Sequence, residues 1–283
     1  MSCKKAIIVT GGFGTRRLPI TKALEKCMIP VGNRPIVDYI VQDCIKAGIA
    51  EIILVVGEQA EQIKTYYGHN EPFETYLQTY GKDDMLRVMN SMCDGVTFTF
   101  VTQDRSQPYG TSVPIKLVQH LIHPGESFLY LYGDNIFYNP DGRSQVAEFL
   151  QAATAVSAPS AMLTVEVPHE EVYKYGIVAT EKRGDAEVFT KIIEKPTVEK
   201  APTNLNNAGC FLLNDAIYPF VERSLRESPQ TEKFVTDAVN WYAQAGNDVA
   251  VVRATAEWLD CGTLEGWLYA NNRVVNPEKT PKL

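Results

Sequence analysis

A chain of 283 residues with a net charge of −7 is long enough to bury a full core and too acidic to take a nucleic-acid backbone as its main partner. Its apolar and charged fractions, 45% and 22%, are ordinary for a globular protein, and no run approaches the roughly 20 apolar residues of a membrane span. The N-terminus MSCKKAIIVT runs directly into a strand-like segment rather than a secretory leader, so the expectation is a cytoplasmic protein with no membrane partner.

The first element is an apolar strand, Ala6 to Val9, which leads into Gly11, Gly12 and Gly14 and then the cations Arg16, Arg17, Lys22 and Lys26. Glycines after a strand let backbone N–H groups approach a polyphosphate with no Cβ in the way, and the cations that follow can neutralise its charge. Glycine is missing from position 17, where a dinucleotide fingerprint needs it, and no Gly-Lys closes a P-loop. A bare tight turn would also satisfy Gly-Gly-x-Gly, but it would not require the cations.

Pro35 to Ala47 has helical spacing and stops at Gly48, and Ile52 to Val56 is a strand apolar on both faces, as in a parallel sheet covered by helices. Glu58 to Tyr67 reads as a second helix, closed by Gly68. His69 to Met92 reads as a polar helical insertion anchored by Phe73, Tyr76 and Tyr80. Val96 to Thr102 alternates as a strand, Ser112 to His120 reads as a helix, and the strand Phe128 to Tyr132 runs into Gly133-Asp134-Asn135. A helix over Gln145 to Val156 and a strand over Ala161 to Val167 follow.

After Pro168 shorter strands are expected at Ile177 to Thr180, Val188 to Ile193 and Asn207 to Leu213. A helix over Phe234 to Gln244, a strand over Val249 to Arg253 and a helix over Leu264 to Val274 close the chain. The fold expected is α/β: a doubly wound sheet with a mixed β region continuing from it, as one domain of two lobes, residues 1–167 and 168–283.

Six scattered cysteines lack metal-ligand spacing and read as free thiols in or near the core, and the four histidines read as surface or loop residues. Asp134, at the carboxyl end of a buried parallel strand, points toward the crevice where open α/β sheets bind ligands, and suits Mg²⁺ shared with substrate phosphates. The dull alternative is a turn cap. Asp260, in EWLDCGT, also follows an apolar stretch, although spacing does not show that the two aspartates meet. Glu194-Lys195-Pro196 follows a strand and could hold sugar hydroxyls and a phosphate, or be a solvated charge pair.

In order, GGxGTRxxPxTK, K-x-M-x-P, G-D-N, Y-G-I-V, E-K-P and D-C-G-T resemble the motifs of the sugar-1-phosphate nucleotidylyltransferases, from Lys5 to about Val275. LPITKALEKCMIP, the insertion from Phe73 to Cys93 and DCGTLEGWLYAN are similar to the bacterial branch that uses UTP and glucose 1-phosphate. YGDNIFY looks more like the dTDP-glucose branch, and Glu25 and Cys27 stand where the first branch has Pro and Glu.

The resemblance implies a Rossmann-like, mostly parallel nucleotidyltransferase fold with a sugar-binding β region. It also implies small-molecule substrates and a homo-oligomer, dimer or tetramer. It places Gly11, Gly12, Gly14 and Thr15 around the triphosphate, Arg16 on the leaving pyrophosphate and Lys26 on the transferring phosphate. Gln103 would read the pyrimidine with Gly110 beside it, and Asp134 and Asp260 would hold Mg²⁺. Gly176, Glu194, Asn207 and Gly209 would line the sugar pocket, with Lys195 on the sugar phosphate.

The implied reaction is in-line attack by glucose 1-phosphate on the α-phosphorus of UTP, giving UDP-glucose and pyrophosphate. An ionised phosphate nucleophile needs no general base, in keeping with the lack of a Ser-His-Asp or Cys-His arrangement. The alternatives are thymidylyl transfer from dTTP, or a non-catalytic sugar-nucleotide-binding regulatory protein. The latter would be expected to have lost Arg16, Lys26 or an aspartate.

Overall fold

The computed structural model describes residues 3–277 apart from 105, 107 and 185. Its N-terminal part is β1 (Lys5–Val9), the short ribbon β2 (Pro30–Val31) and β3 (Arg34–Pro35), α1 (Ile36–Lys46), β4 (Glu51–Val56) and α2 (Glu61–Tyr67). The insertion follows as α3 (Glu71–Thr79) and α4 (Asp83–Ser91), and then β5 (Thr97–Thr102), α5 (Val113–Leu117), β6 (Ser127–Tyr132), β7 (Asn135–Tyr138), α6 (Gln145–Ala155) and β8 (Ala161–Glu166). The remainder is β9 (Gly176–Arg183), β10 (Ala186–Glu194), β11 (Leu205–Asn214), α7 (Tyr218–Glu227), α8 (Val235–Gln244), β12 (Ala250–Arg253), β13 (Glu257–Asp260) and α9 (Leu264–Val275).

One nine-stranded sheet runs in the order β5-β4-β1-β6-β11-β8-β12-β10-β9. From β5 to β6 all pairings are parallel, and β11 then enters antiparallel to both β6 and β8. The far part is mixed, and β9 also returns to β11 through Asn206 and Ile177.

The sequence pattern explains why the parallel strands are covered on both faces. Ala6 and Ile8 of β1, with Ile52 and Leu54 of β4, pack into one core layer, while Ile7, Ile53 and Val55 pack into the other. Strands that alternate between two apolar layers belong in the middle of a three-layer fold. A third cluster, including Ile29, Val31, Ile36, Ile136, Leu259 and Ala270, lies under the β7–β13 ribbon and α9.

Three local features differ from the expectation. Ser112 to His120 is not one helix: α5 stops at Leu117 and a 3-10 turn covers Gln119–Leu121. α7 was not anticipated because its sequence, YPFVERSLRE, mixes apolar and charged residues and puts a serine on the covered face; Tyr218, Val221 and Ser224 form a buried stripe at three-residue spacing. The four-residue strands β7 and β13 are too short to show a pattern of their own.

All six cysteines are free, five of them buried, and all four histidines are exposed. Among the described residues no helix is long and apolar enough to cross a membrane.

Candidate active site

Parallel pairing puts the carboxyl ends of β1, β4, β5 and β6 along one edge of the sheet. The loops leaving those ends are sewn together by the main chain. Thr10 N–H donates to Val55 O (2.9 Å), Gln103 N–H to Val56 O (2.8 Å) and Gly133 N–H to Val9 O (2.9 Å). The glycine loop after β1 therefore lies beside Gln103 after β5 and Asp134 after β6. A methyl at Gly11 would sit 3.6 Å from Gln103 Oε1, so the loop and the glutamine share one wall. Gly14 has φ +63°, and a Cβ there would meet Thr21 Cγ2 at 2.8 Å and Lys26 Cβ at 3.0 Å. Glycine at 14 lets the loop fold down onto the segment that carries Lys26.

That segment is fixed by a remote cap. Ala60 offers α2 no side-chain cap, and Glu25 Oε1 instead accepts from Gln62 N (2.8 Å) and Ile63 N (3.3 Å). Gln62 Oε1 returns the contact to Glu25 N at 3.0 Å. Burial pushes the Glu25 carboxyl up despite those two bonds. Cys27 is buried, with its thiol pushed up to about 12 chiefly by desolvation, so it behaves as a packed apolar group rather than a nucleophile.

Lys26 Nζ is ion-paired with Asp134 Oδ2, the side chains being 16% and 30% exposed, so the pair is partly covered yet reachable from solvent. Asp260 arrives from the other end of the chain through β13, which pairs antiparallel with β7 and sets Asp260 opposite Asn135. Asn135 is itself fixed by donating to Ala208 O at 2.9 Å. Burial raises the Cys261 thiol to about 12, with the Asp260 and then the Asp134 carboxylates adding to the effect; one thiol thus feels both aspartates. Gly262 N–H donates to Asp260 Oδ1 (2.8 Å), and a methyl at 262 would lie 3.4 Å from Arg16 Nη2. Arg16, Lys26, Asp134 and Asp260 are thereby gathered into one cluster.

The far wall comes from the antiparallel strands. Glu194 at the end of β10 lies in register with Gly176 at the start of β9, and a Cβ at 176 would be 3.1 Å from both carboxylate oxygens. Glu194 accepts from Thr236 Oγ1 (2.9 Å), and desolvation by its neighbours pushes its carboxyl up, although the residue keeps an exposed face. Lys195 is exposed, with φ +48° and its N–H donated to Tyr175 O (2.8 Å). Asn207 and Gly209 sit at an irregularity of β11, where Asn207 Oδ1 accepts from Gly209 N (3.0 Å).

Gly110 belongs to a packed corner: at φ +127° a Cβ would lie 2.4 Å from both Lys233 N and O. Ser112 N–H donates to Lys233 O (2.8 Å) and Lys233 N–H to Tyr109 O (2.9 Å). Thr111 accepts from Val235 N through Oγ1 at 2.8 Å, so it holds the start of α8.

Two residues of the site were not legible beforehand. The ring of Tyr132 fills the space where a Gly209 side chain would stand, at 2.3 Å from the would-be Cβ. Burial pushes its phenol up, and the Glu194 and Asp134 carboxylates add to the effect, so the ring lies between the two walls. Arg17 is the other. It was expected among the phosphate-neutralising cations, but it is 5% exposed and turned inward, with Nη1 on Cys261 O (3.0 Å) and Thr263 O (2.8 Å). Trp267 under its guanidinium supplies the apolar surface that draws it in. Lys22 is exposed.

The sequence matches the nucleotidyl transferase family over residues 5–276. The chain belongs to that family. A UTP–glucose-1-phosphate uridylyltransferase of Pseudomonas aeruginosa is 30% identical over 270 residues, 95% of each chain. A UTP-bound UGPase from Acinetobacter baumannii superposes with a TM-score of 0.86 at 27% identity, covering 99% of this chain and 96% of its own. A UDP-glucose pyrophosphorylase in complex with UDP-glucose superposes with a TM-score of 0.83 at 25% identity, covering 98% of this chain and all of its own. The fold is therefore that of the nucleotidyltransferases, and the chain is a nucleotidyltransferase enzyme.

Proposed function

We propose that this enzyme transfers the uridylyl group of UTP to glucose 1-phosphate, giving UDP-glucose and pyrophosphate. The observation that carries this reading is the meeting of Lys26, Asp134, Asp260 and Arg16 between a glycine loop with Gln103 on one side and the Gly176–Glu194 pair on the other. In this reading residues 1–167 supply the nucleotide groups and 168–283 the sugar groups, with Asp260 returning to the first lobe.

Gly11, Gly12, Gly14 and Thr15 wrap the triphosphate, Gln103 reads the pyrimidine edge, and Gly110 keeps the base corner compact. Glu194 takes sugar hydroxyls against the Gly176 backbone, Asn207 and Gly209 line the same pocket, and Lys195 takes the sugar phosphate. The main obstacle is the approach of two polyanions. Fixed cations at the point where charge develops lower that barrier, and holding both substrates in line lowers it further. Lys26 faces the transferring phosphate, and Arg16 faces the charge that builds on the departing pyrophosphate.

Asp134 and Asp260 offer hard oxygen donors, and among the described residues no third carboxylate, histidine or cysteine joins them. Two carboxylates beside a phosphate site fit Mg²⁺, which completes its shell with substrate phosphates and water. When bound, the ion would polarise the phosphates and neutralise their charge.

The test is pyrophosphate release with glucose 1-phosphate and Mg²⁺, supplied with UTP or dTTP in turn. Preference for UTP is the expected result. Preference for dTTP would keep the site and change the base, and release with neither would overturn the reading.

A further inference from the structure

Arg17 is adjacent to Arg16 in sequence but does different work. Arg16 is exposed and stands over Gly262, whereas Arg17 is almost fully covered. A buried guanidinium usually meets a carboxylate, but the acceptors here are main-chain carbonyls, Cys261 O at 3.0 Å and Thr263 O at 2.8 Å. Both belong to the turn that immediately follows Asp260. Trp267, on the first turns of α9, closes the other side with its ring centroid 5.1 Å from Arg17 Cζ.

The turn has its own internal bonds, Gly262 N–H to Asp260 Oδ1 and Gly266 N–H to Thr263 Oγ1, which fix its shape. They do not fix its position against the glycine loop. Arg17 provides that connection, because one planar nitrogen bonding two carbonyls two residues apart specifies distance and angle together. An apolar side chain could cover Trp267 equally well and would leave the carbonyls unbound.

We propose that Arg17 is a positioning residue that locks the loop carrying Arg16 to the turn carrying Asp260, so that the phosphate-binding cation and the second carboxylate move as one unit. This rests on the functional reading above for its catalytic consequence, while the locking itself does not depend on it.

The experiment compares the wild type with Arg17→Met, which keeps volume over Trp267, and Arg17→Lys, which keeps charge and one donor group. Amide hydrogen exchange over residues 260–263 reads the lock without turnover, and steady-state kinetics read its consequence. For folded Arg17→Met the expected results are faster exchange in that turn, kcat lower by about 10- to 100-fold and half-saturating Mg²⁺ raised about tenfold. KM for glucose 1-phosphate should stay unchanged, because Glu194 and Gly176 lie on the other wall. Arg17→Lys should recover part of the loss. Wild-type exchange, kcat and Mg²⁺ dependence in folded Arg17→Met would overturn the proposal.

If Arg17→Met does not fold, Arg17→Lys decides, and wild-type values for exchange and Mg²⁺ dependence in that variant would overturn the proposal equally. A wild type without turnover would count against the functional reading only, since the exchange comparison would still report on the lock.

Discussion

Asp260 stands opposite Asn135 on the β7–β13 ribbon, which brings it beside Asp134 from 126 positions away in the chain. Asp134 immediately precedes Asn135, and two carboxylates brought near one another repel unless a cation lies between or beside them. Lys26 already meets Asp134, and Arg16 approaches the Asp260 turn. Asp260→Asn should leave the ribbon intact and lower turnover by about 100-fold. The residual activity should need more Mg²⁺, and pyrophosphate release measured across a Mg²⁺ series checks both points. Turnover within twofold of wild type would remove Asp260 from the site.

Glu194 accepts from Thr236 and faces Gly176, and glutamine can retain the first contact while losing the charge. Glu194→Gln should raise KM for glucose 1-phosphate about tenfold, the worth of one charge-assisted hydrogen bond, and leave KM for UTP alone. An equal rise in both constants would assign Glu194 to general stability instead.

Gly110 has no room for a side chain, since a methyl would strike the Lys233 backbone at 2.4 Å. Gly110→Ala should lower stability by about 1–3 kcal/mol through the strained backbone and the displaced Lys233 main chain. It should also raise KM for the nucleotide more than for the sugar phosphate. Urea unfolding together with kinetics measures the two effects separately, and an unchanged denaturation midpoint would contradict the packed corner.

Asp43 is buried on α1, where Oδ2 accepts from Val146 N at 3.2 Å, and desolvation pushes its carboxyl up to about 6. Its ordinary value is 3.8, so the folded protein binds this proton more tightly than the unfolded chain does. The contribution to stability is therefore complete below pH 4 and is lost as pH rises through about 6. Asp43→Asn keeps an acceptor for Val146 N–H and removes the charge. It should gain about 1–3 kcal/mol at pH 7.5 and little at pH 4. Thermal unfolding of both proteins at the two pH values checks this, and a constant difference between them would refute the assignment.

Much of this protein is written locally. The alternation of Ala6, Ile7 and Ile8 between two core layers, the glycines at 11, 12 and 14, and the strand ends before Asp134 and Gln103 depend on neighbours within a few residues, so the sequence carries them directly. The family motifs likewise read as strings. α7 was hidden because its buried stripe of Tyr218, Val221 and Ser224 includes a serine while Phe220 and Leu225 lie off it, and only packing shows which face is covered.

The tertiary structure alone decided which residues share a wall. Arg16 and Arg17 are the same residue type side by side, yet one stands in the crevice and the other is drawn onto Trp267 and two carbonyls contributed more than 240 positions later. Tyr132 became a bridge because Gly209, on an antiparallel strand, leaves a space of the size of its ring. Such partners are set by strand order and register, which arise from the burial of whole faces rather than from the chemistry of any one motif.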